Sequence, residues 1–235
     1  MLSLNAQPAE KPDLREDGSL DVFKVWPTIQ GEGPFVGRPA VFVRTAGCSI
    51  LCPSCDTDYT SIRNRYSVRE LLFTVKRHAR DIRSRLVVLT GGEPFRQNIM
   101  PFVWAALDEG LEVQAESNGT LAPPEARRCN STSFTVVCSP KTGSINHKLH
   151  PLISAYKYVL QAGKVDPEDG LPTDSLGMGV RVARPHDGFG GEVFVQPTDE
   201  GDPQRNVDNV ATAVWSCLQF GYRLSVQIHK IAGLE

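Results

Sequence analysis

The strongest pattern in the chain follows Ser67-Val-Arg-Glu70, where apolar Val68, Leu71, Leu72, Val75, Ala79 and Ile82 recur at helical spacing. Ser67 and Glu70 form a capping-box pair, so the spacing predicts a helix over 68–82. Upstream, residues 22–26 and 40–45 are rich in Val, Phe and Trp and read as strands, and the segment between them, PTIQGEGPFVGRP, reads as a loop. Residues 86–89 form a continuous apolar run ending in Thr90-Gly-Gly, the pattern of a strand buried on both faces of a parallel sheet. Asn98 is placed to cap a second helix carrying Phe102, Val103, Ala106 and Leu107 and ending at Gly110. Further strands are expected at 111–115, 134–138, 155–160, 192–195 and 222–228, with one more long helix at 206–220.

Alternating strands and helices imply a parallel sheet with right-handed crossovers, hence an α/β fold. A regular barrel needs a helix after every strand, and here helices become scarce after the first third. The stretch 161–191 is too polar and too rich in Gly and Pro for a packed helix. Residues 1–20 are polar and without period, a mobile tail or a packing arm, leaving 21–235 as one domain.

Composition narrows the function. A net charge of -2 argues against broad nucleic-acid binding and favours a small-molecule partner. No apolar run approaches the roughly 18 residues of a membrane span, and MLSLNAQPAEKPDLREDG lacks a signal peptide's basic start and apolar core, so a cytoplasmic location is expected. In a reducing compartment the six cysteines are core filler, metal ligands or catalysts rather than disulfides. Cys129, Cys138 and Cys217 lack partner spacing and read as core thiols. Cys48, Cys52 and Cys55 share one loop after a strand, in C-x3-C-x2-C spacing. Three soft thiolates without a local fourth ligand suit an iron-sulfur cluster with one open iron, and leave room for a zinc site that recruits a distant histidine or for unligated thiols.

This loop resembles that of radical S-adenosylmethionine enzymes, and Gly91-Gly-Glu-Pro94 resembles the motif by which they hold the methionyl amino group. The finer resemblance is to the 7-carboxy-7-deazaguanine synthase family, and it spans the chain after residue 20. It rests on Thr28-Ile-Gln-Gly-Glu-Gly33, Gly37-Arg-Pro-Ala-Val-Phe-Val-Arg44, Cys55-Asp-Thr57, Thr90-Gly-Gly-Glu-Pro94, Ser139-Pro-Lys141, Gln196-Pro-Thr-Asp199 and the ending His229-Lys-Ile-Ala-Gly-Leu-Glu235. A glycyl-radical activase would share the cysteine loop and GGEP, but not the QGEG loop or this ending.

The resemblance implies an incomplete parallel (β/α) barrel of the radical SAM type, with six strands and reduced helix content. It implies a 4Fe-4S cluster on Cys48, Cys52 and Cys55, S-adenosyl-L-methionine cleaved by one electron to a deoxyadenosyl radical, and Mg2+ on Thr57. Cofactor contacts would come from Ser54, Cys55, Asp56, Gly92, Glu93, Glu116, Ser139, Lys141, Gln196, Pro197, Thr198 and Asp199. Pterin contacts would come from Ile29, Gln30, Gly31, Glu32, Arg44, Thr90, His229 and Glu235. Ser54 departs from the family, which commonly has an aromatic residue there beneath the adenine. The implied reaction is ring contraction of 6-carboxy-5,6,7,8-tetrahydropterin to 7-carboxy-7-deazaguanine with loss of ammonia. A homodimer and an electron donor such as flavodoxin or ferredoxin are expected, with neither nucleic acid nor membrane bound directly.

Overall fold

The structure is a computed structural model that describes residues 5–124 and 132–234. Nine strands form one sheet in the order β3-β1-β2-β4-β5-β6-β7-β8-β9. They are β1 (Leu20–Ile29), β2 (Pro39–Thr45), β3 (Asn64–Tyr66), β4 (Leu86–Gly91), β5 (Glu112–Ser117), β6 (Phe134–Cys138), β7 (Ile153–Leu160), β8 (Glu192–Pro197) and β9 (Arg223–Leu224). β2, β4, β5, β6, β7 and β8 make the expected six-stranded parallel ladder, β9 extends it, and β1 and β3 add an antiparallel edge. Pro27 sits in β1 beyond the three residues that pair with β3, on an edge where a missing N–H is tolerated.

Helices α1 (Val68–Asp81), α2 (Met100–Asp108) and α3 (Pro203–Phe220) cover one face. The Ser67 hydroxyl accepts from the Glu70 amide while the Glu70 carboxylate accepts from Ser67, completing the expected capping box. α1 and α2 bury Leu71, Val75, Phe102 and Val103 against Val43, Leu89 and Ala115, with Cys138 and Tyr156 in the same core. That apolar layer is the outer face of the sheet.

Two local expectations fail. Asn98 does not cap α2; Ile99 holds that position without a side-chain bond, and the Asn98 amide donates instead to the Arg15 carbonyl, 3.1 Å away. The strand expected over 222–228 shrinks to Arg223–Leu224, and the chain then turns into α4 (Ile228–Ile231), so His229 lies on a short helix and not at a strand end. Only two residues of that segment find ladder partners on β8.

β1 and β9 lie near opposite ends of the sheet, yet the segments that follow them meet. The Gly33 amide donates to Ser225 Oγ at 3.0 Å and the Ile228 amide to the Gly31 carbonyl at 3.3 Å. The sheet therefore curls into an incomplete barrel whose gap is bridged by loops. As expected, 161–191 contains no helix; it is pinned by a bidentate Arg184–Asp169 pair (2.7 and 3.0 Å) and by buried Leu171 and Val182. Among the described residues, no helix is long and apolar enough to cross a membrane.

Candidate active site

Alternation along the strands puts Val43, Leu89, Ala115, Val136, Cys138, Tyr156 and Tyr158 on the outer face, so Arg44, Thr90, Gln114, Glu116, Lys157 and Gln196 point to the inner one. Toward the strand ends this inner face is polar and largely closed to solvent, while Leu86, Val88, Val137, Ala155 and Phe194 pack the rest of it. Thr90 Oγ1 donates to Glu116 Oε2 at 3.0 Å, and the Gln30 and Gln114 side-chain amides both donate to Glu116 Oε1 at 3.0 Å. Residues expected at the pterin, Gln30 and Thr90, thus share one network with Glu116, expected at the cofactor. Arg44 lies over Trp26 and Phe23, its guanidinium carbon 5.1 and 5.8 Å from the ring centroids.

On the far wall Glu32 meets Lys157, a residue the sequence reading missed. The Lys157 ammonium donates to Glu32 Oε2, and the Gln227 amide donates to Oε1 at 2.7 Å. Burial raises the Glu32 carboxyl, but the Lys157 charge outweighs it and holds the group below the usual carboxylate range. Burial likewise disfavours the Lys157 cation, and Glu32 with Glu116 pushes its pKa above the ordinary value. Gly31 is required here: a Cβ would fall 1.8 Å from His229 Nδ1. Burial lowers the His229 pKa, against the pull of Glu32.

The cysteine loop leaves β2 at the same end of the barrel. Gly91 and Gly92 seat it from below, since a Cβ on Gly91 would lie 2.3 Å from the Thr45 carbonyl oxygen and one on Gly92 2.1 Å from that of Gly47. Glu93 is fully buried; it accepts from the Phe95 and Asn118 amides at 3.0 and 2.7 Å and from Ser117 Oγ at 3.0 Å, and burial pushes its pKa up to about 7. Asn118 Nδ2 in turn reaches Cys48 Sγ at 3.8 Å and Ser49 Oγ at 3.1 Å. The GGEP and ESNGT segments therefore shape the loop that carries the thiols.

Cys48 and Cys52 are buried and Cys55 half-buried, and burial raises all three thiols, Cys48 to about 12 and Cys52 to about 11. A metal would have to displace their protons. A zinc ion also needs at least three protein ligands converging on a point, and among the described residues no such group of His, Cys, Asp or Glu occurs. A cubane makes a different demand, one thiolate on each of three irons.

Around this loop stand the other expected cofactor residues. Lys141 donates to the Ser139 carbonyl at 2.7 Å, and burial lowers its pKa. Asp199 and Asp56 are brought together by Lys230, at 3.1 and 3.7 Å. Thr198 turns inward, its hydroxyl on the Leu160 carbonyl at 2.9 Å, and buried Asn209 holds the turn through the Thr198 carbonyl at the same distance. Pro197 ends the β8 ladder opposite Leu160. The Ser54 amide donates to the carbonyl of Leu176, a non-glycine residue at φ 54° in the 161–191 loop. Glu235 and Cys129 lie outside the described residues. Among the described polar atoms, Arg44 Nε, Gln114 Oε1 and Gln196 Oε1 are buried on the inner face without a hydrogen-bond partner. Such atoms are costly unless a ligand completes them, and a polar ligand in the lumen fits all three.

No family model matches the chain. It is 47% identical over 232 residues to a 7-carboxy-7-deazaguanine synthase of Rhodospirillum rubrum, covering 95% of this chain and 96% of the relative. It is 36% identical to one of Rickettsia prowazekii, covering 94% and 92%. The fold is similar to a crystal structure of QueE from Escherichia coli, with a TM-score of 0.69 at 23% identity over 89% of this chain and 94% of that one.

Proposed function

The chain belongs to the 7-carboxy-7-deazaguanine synthase family, and from that premise we propose that it is a radical S-adenosylmethionine lyase. Its substrate is 6-carboxy-5,6,7,8-tetrahydropterin and its products are 7-carboxy-7-deazaguanine and ammonia, a step toward queuosine and other 7-deazapurines. The observation that carries this reading is the juxtaposition of three loop thiols with a cluster of inward polar side chains in which Arg44 Nε, Gln114 Oε1 and Gln196 Oε1 are buried and unpartnered.

Cys48, Cys52 and Cys55 would hold the 4Fe-4S cluster, and with S-adenosyl-L-methionine it supplies a radical that removes one hydrogen from the substrate. The protein's part is to bind, orient and exclude water. Glu32 offers a carboxylate to the amidine-like edge of a pterin, and Arg44 a guanidinium to its carboxylate. Gln30, Thr90 and Glu116 fix the wall between them. Thr57 is the side-chain ligand for Mg2+, which keeps several non-protein ligands. Ser139, Lys141 and the 196–199 turn, with Ser54 to Asp56, Gly92 and Glu93, line the cofactor side.

Anaerobic incubation of iron- and sulfide-reconstituted protein with a reductant, S-adenosyl-L-methionine and carboxytetrahydropterin should give a product of deazaguanine mass, and a Cys52→Ala chain should give none. Cofactor cleavage without that product would overturn the substrate, and a colourless protein holding one zinc would overturn the chemistry. The reductant in the cell is a one-electron donor such as flavodoxin or ferredoxin, and the oxygen-sensitive cluster calls for the reducing cytoplasm. Neither nucleic acid nor membrane takes part, since the substrate is a free pterin. We also propose a homodimer, because α3 presents Val207 and Leu218 at 61% and 78% exposure. Sedimentation as a 25.8 kDa species would exclude it.

A further inference from the structure

Residues 5–13 have no role in the reaction as described, and their polar sequence carries no period. In the fold they lie along the cysteine loop and bond to it almost residue by residue. The Asn5 amide donates to the Pro53 carbonyl at 2.8 Å, and its side chain to the Cys52 carbonyl at 3.1 Å. The Glu10 amide donates to the Cys48 carbonyl at 2.7 Å, beside a bridge between Ala9 and Cys48. The strap is anchored beyond the loop by Arg96, which donates to the Lys11 carbonyl at 3.0 Å and accepts the Asp13 amide on its own carbonyl at 2.7 Å.

Gln7 is the centre of this arrangement. Its side-chain oxygen accepts from the Tyr59 amide at 2.8 Å and from Thr60 Oγ1 at 3.0 Å, while its amide donates to the Thr57 carbonyl at 2.8 Å. Tyr59, itself buried, returns a bond from its hydroxyl to the Gln7 carbonyl at 3.2 Å. One side chain thus ties three residues just past the third cysteine. The Thr57 carbonyl also accepts from the Cys55 thiol at 3.8 Å. The Gln7 amide thus holds the Thr57 carbonyl and with it the backbone from which the Thr57 hydroxyl projects, a hydroxyl that donates to Asp56 Oδ1 at 3.2 Å.

We propose that Gln7 is a positioning residue that orients Thr57 for magnesium, and that residues 5–10 are a strap presenting the cysteine loop to its cluster. This rests on the reading of Thr57 as the Mg2+ ligand. Gln7→Glu keeps the two acceptor bonds and loses the donor bonds to the Thr57 carbonyl and to Asn5 Oδ1, whereas Gln7→Ala loses all four.

In the metal-free chain, hydrogen exchange at amides 57–60 should quicken about fivefold in Gln7→Ala, as the loss of a bond worth about 1 kcal/mol implies. Both reconstituted variants should retain about four irons, as a cubane requires, and melt within a few degrees of the parent, yet need about tenfold more magnesium for half-maximal turnover. An exchange rate or a magnesium requirement equal to the parent's would overturn the role of Gln7. Thr57→Ala, measured in parallel, separates the two ideas. If it loses its magnesium response while both Gln7 variants keep theirs, the strap reading fails and the Thr57 reading stands; if Thr57→Ala responds normally, both fail. Deletion of residues 1–9 tests the strap as a whole, with lowered iron content expected and undiminished iron retention contradicting it.

Discussion

The two faces of the sheet are written by the same strands in alternate residues, and they obey different rules. On the outer face Val43, Leu89 and Ala115 close against α1 and α2 in an apolar layer that continues through Cys138 to Tyr156, which packs on Phe189 of the 161–191 loop. On the inner face Arg44, Thr90, Glu116, Lys157 and Gln196 stand one residue away, in networks that end in unpartnered atoms. A one-residue slip in register would exchange the two sets. The outer face fixes the register, and by doing so it aims the inner residues. Folding and binding are therefore specified separately, by residues that are covalent neighbours.

The largest test of that separation is Phe102→Ala on the outer face. Phe102 is fully buried, and its removal should cost about 4 kcal/mol of stability, read by urea denaturation. KM for the pterin should stay unchanged in the folded fraction; a shifted KM would show that the faces are coupled. On the inner face, Lys157→Met leaves Glu32 buried without its ion partner and should cost about 3 kcal/mol. Adding Glu32→Gln should recover most of that stability but none of the turnover. Recovery of activity in the double variant would remove Glu32 and Lys157 from the binding wall.

Glu93 offers a smaller and pH-dependent test at the junction of the faces. Its folded pKa of about 7 exceeds the ordinary 4.5, so between those values the unfolded chain gives up the proton first. The contribution of this carboxyl to stability accordingly falls as pH rises from 4.5 to 7 and is level above. Glu93→Gln presents an amide N–H to donors that Glu93 accepts and should cost about 2 kcal/mol near pH 5. Melting curves from pH 5 to 8 should show the gap to the parent narrowing, and a constant gap would contradict the assignment.

What the sequence revealed follows from how local each determinant is. The α1 cap and its apolar stripe lie within a few residues of each other, and the helix forms where the pattern places it. Asn98 has equally good local chemistry, but a distant carbonyl on Arg15 takes its amide, and no window around Asn98 contains that competitor. Lys157 sits in ISAYKYVL, where a lone charge in an apolar run reads as a solvent-facing residue; its partner Glu32 is 125 residues away. The strap was invisible for the same reason, since Gln7 and Asn5 act through backbone groups 47 to 52 positions distant. Many of the expected site residues lie in motifs that follow strand ends, which the barrel gathers on one rim, so their proximity follows from the strand pattern alone.

The contacts that bridge the barrel's gap also have a temporal meaning. Gly33 reaches Ser225 across 192 positions and Glu32 reaches Gln227 across 195, so this wall joins the segment after the first strand to residues about two hundred positions later. Chain synthesis proceeds from the amino end, and contacts of such separation cannot form until residues 225–228 have left the ribosome. A nascent chain can thus complete its cysteine loop and the packing of α1 and α2 on β2, β4 and β5 while the wall opposite stays open, which places closure of the barrel's gap late in synthesis.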